Sequence, residues 1–145
     1  MDLIPRIINA VTQLHPLHPM IVHFPIALSG AALLFIIIAM VRKDENFEKY
    51  AFANMVLTVF GTIAAGITGM YDNQINYEGD AANSGTKFIL AIVMLSVTLI
   101  TVYIRIRNPR IFNSRGKAIY IAGYFLSFIL VTVLAFLGGV ILYGI

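Results

Sequence analysis

All three histidines of this 145-residue chain fall within one eleven-residue stretch, HPLHPMIVHFP, from His15 to Pro25, together with three of its five prolines. Imidazole is a good ligand for haem iron, copper or zinc and titrates near neutral pH. There is no cysteine, which excludes disulfides, thiolate metal sites, iron–sulfur ligation and thioether-linked haem, so a bound metal would use His, Met, Tyr or carboxylate. A residue before proline is pushed away from the α region. His15, His18 and Phe24 are therefore expected in extended or turn geometry, on a stiff approach that becomes helix near Pro19 or Pro25. The expected metal ligands are His15, His18 and His23. Asp72 in GITGMYDN, Lys87 in GTKF and Tyr143 in LGGVILYG join them as the wider candidate set for a cofactor. The ordinary alternative makes Asp72 and Lys87 solvated helix caps and the histidines hydrogen-bonding partners of a neighbouring helix or an interfacial water.

The elements that must hold these groups follow from composition. Hydrophobic side chains make up 59% of the chain and charged ones 12%, more apolar surface than a soluble fold of this size can hide. Four stretches lack Asp, Glu, Lys and Arg: Met20 to Val41, Tyr50 to Tyr71, Phe88 to Ile104 and Ala118 to Ile145. Each is long enough to cross ~30 Å of hydrocarbon as a helix, and backbone amides in lipid must pair within their own segment. The fold class is all-α: a four-helix membrane bundle with spans at about 20–41, 50–71, 88–104 and 118–142, forming one domain over residues 1–145. Before the first span, Leu3, Ile4, Ile7, Ile8, Val11 and Leu14 recur at helical spacing, which predicts an amphipathic interfacial helix over about 3–14. The acidic start at Asp2 and the lack of an early basic region argue against a signal peptide. Tyr50, Tyr103 and Tyr120 at one set of span ends, with Tyr71 and Tyr143 at the other, are expected as interfacial rings. Gly61, Ala65 and Gly69 form a small-residue stripe suited to close helix packing.

Orientation comes from the connections. Arg42, Lys43 and Lys49 lie in one short loop and Arg105, Arg107, Arg110, Arg115 and Lys117 in another, while the opposite side carries only Arg6 and Lys87. The positive-inside rule puts the basic loops in the cytoplasm of a prokaryotic inner membrane and both termini outside. His23 is then the imidazole expected inside a span, in a protein whose span interiors hold no acid or base, and an intramembrane ionisable group is a functional-site hypothesis by default. No basic patch for nucleic acid is formed.

The segment HPLHPMIVHFPIALSGAALLF, the GITGMYDN closing the second span and the final LGGVILYG together resemble the membrane family called domain of unknown function 2231, over nearly the whole chain. The resemblance implies a small four-span prokaryotic protein, of a kind sometimes joined to cytochrome c-like or Rieske-type domains, and hence a place in membrane electron transport. Carried onto this sequence, the family pattern falls on His15, Pro16, His18, Pro19, His23, Pro25, Asp72, Gly138, Gly139 and Tyr143. The resemblance also implies a departure: many members of that family have a histidine at the start of the third span, where this chain has Lys87.

The expectation is an accessory subunit of a redox assembly that holds or contacts haem b, another metal such as copper or zinc, or a quinone at the outer leaflet. Its partners would be the lipid bilayer and other membrane or extracytoplasmic redox subunits, or further copies of itself. Bis-histidine haem takes imidazoles on opposite faces of the ring, so a single-chain haem here would need Met70 or Met20, five-coordinate iron or a second subunit. The competing expectation is a non-redox structural or assembly subunit. A transporter fits less well, since the spans have no buried carboxylate and no broken-helix pair. No nucleophile with a positioned base is visible, which argues against an enzyme.

Overall fold

The computed structural model of the protein describes residues 3–9, 17–79, 81 and 83–143. The described elements are α1 (Leu3–Asn9), α2 (Leu17–Ile21), α3 (His23–Arg42), α4 (Glu45–Asn76), α5 (Ser84–Arg107) and α6 (Lys117–Tyr143), with a short 3-10 turn at Ile111–Asn113. No strand occurs among the described residues. Four helical stretches, Leu17–Arg42, Glu45–Asn76, Ser84–Arg107 and Lys117–Gly139, are long and apolar enough to cross a membrane. Each of α3 to α6 packs on its neighbour in sequence, and α6 closes the ring against α3. The fold is an all-α bundle.

Its outer surface is what lipid requires. Phe60, Ile89 and Phe136 are 65%, 63% and 71% exposed, an apolar exterior that would drive aggregation in water but meets acyl chains in a bilayer. Inside, small side chains let α3 and α4 approach closely, with Ala32 and Ala39 on one and Ala51 and Ala65 on the other. Tight contact of this kind substitutes for the hydrophobic effect, which does not draw helices together in lipid. The small-residue stripe of α4 has definite occupants: a side chain at Gly61 would meet Pro25, and one at Gly69 would meet the His18 ring.

Four expectations change. The histidine–proline segment is helical from Leu17, so His18 and Phe24 do not take extended geometry. Pro19 sits in the first turn of α2, where its missing N–H would have had no partner anyway. Pro25 cannot donate to the preceding turn, and the helix is interrupted by one residue at Val22. Even there the backbone stays in the right-handed region, at φ −62 and ψ −22, bridged by Val22 N–H to His18 O at 3.0 Å and Ile26 N–H to Val22 O at 3.3 Å. Second, the helices outrun the uncharged stretches. Asp44 caps α4 by accepting from Asn46 N–H at 2.8 Å, and Glu45 and Glu48 lie in its first turn, where the helix dipole favours acids.

Third, the acids that flank the second uncharged stretch are buried rather than solvated. Glu48 and Asp72 are both buried, on the same inward stripe of α4 as Ala51, Met55, Thr58, Thr62 and Ala65. At 1.5 Å per residue they stand roughly 36 Å apart along the axis, just beyond the two edges of a ~30 Å hydrocarbon layer. Fourth, Tyr120 is not an interfacial ring but is wholly buried, whereas Tyr50, Tyr71 and Tyr103 remain exposed. In α1, Leu3, Ile4 and Ile7 are exposed as an interfacial helix requires; the 10–14 portion of the expected helix lies outside the described residues.

Candidate functional site

At the end of the bundle carrying the histidines, all the long helices contribute to one cavity of about 430 Å3, within the usual range for small-ligand sites. His18, Asp72 and Lys87 line it together with His23, while Met70, Phe88, Met94 and Leu134 supply apolar wall. The sequence-predicted groups thus converge, although they come from α2, α3, α4 and α5. His15 lies outside the described residues. Tyr143 ends α6, but its side chain is outside what is described. Gly138 and Gly139 line the cavity from α6.

His18 is the anchored imidazole. Its backbone N–H donates to Asp72 Oδ2 at 3.1 Å, and its ring Nδ1 meets Thr68 Oγ1 at 3.3 Å. The Thr68 hydroxyl proton is already directed to the carbonyls of Ala64 and Ala65, at 2.9 and 3.2 Å. Thr68 is therefore the acceptor, Nδ1 carries the hydrogen, and in the neutral ring Nε2 is left as an acceptor. The ring lies against Gly69, where a Cβ would come within 2.9 Å of His18 Cε1. The second glycine of GITGMYDN is thus a seat for imidazole.

His23 reaches the same electronic state by another route. Its Nδ1 lies 2.6 Å from the Pro19 carbonyl, which can only accept, so Nδ1 again holds the hydrogen and Nε2 is the free acceptor in the neutral ring. The side chain is exposed rather than packed. The expectation that His23 alone lies inside a span is corrected: both His18 and His23 belong to the first membrane-crossing stretch, and His18 is the one packed into the bundle.

Asp72 is not a solvated cap. It is 5% exposed within α4, and its one hydrogen bond among the described residues comes from His18 N–H. No cation lies within ion-pair distance of it among the described residues, where the one ion pair is Glu48 with Arg105. Lys87, half-buried in the first turn of α5, faces the same cavity. A carboxylate accepts several hydrogen bonds at once, so Asp72 retains most of its accepting capacity.

The donor set decides which groups can be held. Among the described residues no three of His, Cys, Asp and Glu come together as a metal ion would require. His18 and His23 rise from consecutive turns of one segment and cannot take opposite faces of one haem. The described residues therefore do not fit a bis-imidazole haem or a three-ligand metal ion.

A second polar cluster, at the opposite end, was not foreseen. Glu48 takes Arg105 Nε at 2.6 Å, Arg105 Nη2 at 3.1 Å and the Tyr120 hydroxyl at 2.8 Å. Tyr120 and Tyr124 hydroxyls meet at 2.6 Å, and the Arg105 guanidinium stacks over Phe52 at 5.4 Å. Arg105, counted in sequence as a loop charge, is thus an internal partner joining α5 to α4 and α6. The signal was present in spacing: Glu48 continues the inward series Ala51, Met55, Thr58, Thr62 three or four residues at a time, and Tyr120 and Tyr124 share a helix face.

A family model described as predicted membrane protein (DUF2231) matches residues 14–144. No curated protein and no solved structure matches the chain.

Proposed function

From the premise that the chain belongs to the DUF2231 family of membrane proteins, we propose that it is an accessory multi-pass subunit of a membrane redox assembly whose cavity receives the head of a quinone-class lipophile. The single observation that carries this reading is the cavity itself: apolar walls that suit a tail, with His18, His23, Asp72 and Lys87 on the same lining. Quinone chemistry needs hydrogen-bonding groups at the ring oxygens and apolar surroundings for the tail, and the lining includes residues of both kinds. The basic loops face the cytoplasm of a prokaryotic inner membrane, so the cavity opens toward the outer leaflet, where other membrane or extracytoplasmic redox subunits, or further copies of the chain, exchange electrons with its occupant. The family and the four spans make the chain a multi-pass protein of the lipid bilayer.

The test is chemical. Protein purified in mild detergent is extracted with organic solvent and its quinone content per chain measured chromatographically, and its visible spectrum is recorded oxidised and after dithionite. Near-stoichiometric quinone is expected. A Soret band with sharp reduced α and β bands would place haem b there instead, and a preparation containing neither would favour a purely structural subunit.

A further inference from the structure

We infer that the cavity at the histidine end selects the reduced, hydroxyl-bearing form of its lipophile, the quinol, over the oxidised quinone. The inference rests on the quinone-class reading above and extends it from the class of ligand to its redox state.

The argument is a count of donors and acceptors on the cavity lining. Asp72 is acceptor-only when ionised. It is buried, receives a single backbone N–H from His18, and has no cation within ion-pair distance among the described residues. The two imidazoles add acceptors. His18 Nδ1–H is committed to Thr68 and His23 Nδ1–H to the Pro19 carbonyl, so each neutral ring has only the lone pair of Nε2 left to offer. Of the other polar side chains on the lining, the Thr62 hydroxyl donates to Thr58 O at 2.8 Å, and Asn73 gives one of its two amide hydrogens to Gly79 O at 3.3 Å, keeping one neutral N–H donor. Lys87 is the strong donor that remains, while Tyr77 and Ser84 hydroxyls can turn either way.

A quinone presents two carbonyl oxygens, both acceptors. Beside Asp72 and the two Nε2 atoms it would meet lone pair with lone pair, and burying Asp72 under it would remove water without replacing it. A quinol presents two hydroxyls. One can donate to Asp72 and the other to an imidazole, and each oxygen still accepts from Lys87. Preference for the quinol follows from the mismatch the quinone suffers as much as from the bond the quinol gains.

The experiment measures both redox forms of a short-tailed benzoquinone on the full chain in detergent under argon, by equilibrium ultrafiltration with chromatographic quantification. For the wild type the quinol is expected to bind about tenfold more tightly or better, the size of one hydrogen bond to a charged group. In Asp72→Asn, whose amide both donates and accepts, the ratio is expected to fall to within about threefold. Lys87→Gln is expected to weaken both forms alike, since Lys87 serves either oxygen. Equal binding of the two forms by wild type, or tighter binding of the quinone, overturns the inference while leaving the quinone-class reading in place. A ratio that survives in a folded Asp72→Asn overturns the assignment to Asp72. Binding of neither form overturns the inference and the underlying reading together.

Discussion

The Glu48 cluster makes a demanding prediction because its parts can be removed one at a time. Glu48 accepts three hydrogen bonds, two of them from one guanidinium. Its side chain is 3% exposed and that of Arg105 16%. Glu48→Ala deletes the acceptor and leaves a largely enclosed cation and a buried phenol behind. Breaking a buried pair from one side typically costs about 3 to 5 kcal/mol. The partial exposure of Arg105 lets its head find water, which puts Glu48→Ala near the lower figure. Glu48→Gln keeps one carbonyl for Arg105 or Tyr120 and is expected to cost about 1 to 2 kcal/mol, the range of an ordinary hydrogen bond with some loss of charge assistance. Removing both charges in Glu48→Leu with Arg105→Met leaves no unpaired ion, so the double variant is expected to be more stable than Glu48→Ala. Unfolding in mixed micelles, followed by circular dichroism, measures all three. A cost below about 0.6 kcal/mol for Glu48→Ala, the average for an interhelical hydrogen bond inside a membrane, would refute the reasoning. So would simple additivity of the two sites, since contacting partners couple by about 0.5 to 3 kcal/mol.

Three further outcomes are expected. Cysteines introduced at Gln13 and Asn113 should react oppositely with an impermeant thiol reagent on intact cells, with Gln13→Cys labelled; labelling at Asn113 alone would reverse the orientation drawn from the basic loops. Gly69→Ala brings a methyl against the His18 ring, and a ring at the end of a side chain can swing aside, so thermal stability in detergent should change little while the content of cavity ligand falls. For His23, whose side chain is exposed and whose hydrogen bond among the described residues is to its own segment, neither His23→Gln nor His23→Ala should lower folded yield. Loss of co-purified ligand in His23→Ala would make it a binding group, and wild-type ligand content in both variants would leave it a rim residue.

Much of this protein is decided by its sequence alone. Four long uncharged stretches fix the number and kind of spans, because lipid admits no unpaired backbone and so enforces helices over ~30 Å. The motif residues His18, Asp72 and Lys87 were recognisable as a group because two intervening spans return the chain to the same end of the bundle. The Gly61, Ala65 and Gly69 stripe announced close packing for the same local reason, a helical period of small residues. Tertiary structure decided the rest. Sequence rules for residues before proline describe a chain free to extend, whereas in the bundle the helical segment packs with Pro25 against Gly61 and His18 against Gly69 of α4. Glu48 and Arg105 read as loop charges since both lie outside the uncharged stretches; their burial depends on how far α4 and α5 continue and on which way those last turns face. Tyr120 has the position of an interfacial ring and the surroundings of a core residue, and only the placement of α6 beside Glu48 selects between them. Which nitrogen each imidazole offers is likewise invisible in sequence, because it is set by the acceptors that Thr68 and Pro19 bring to Nδ1 in the folded bundle.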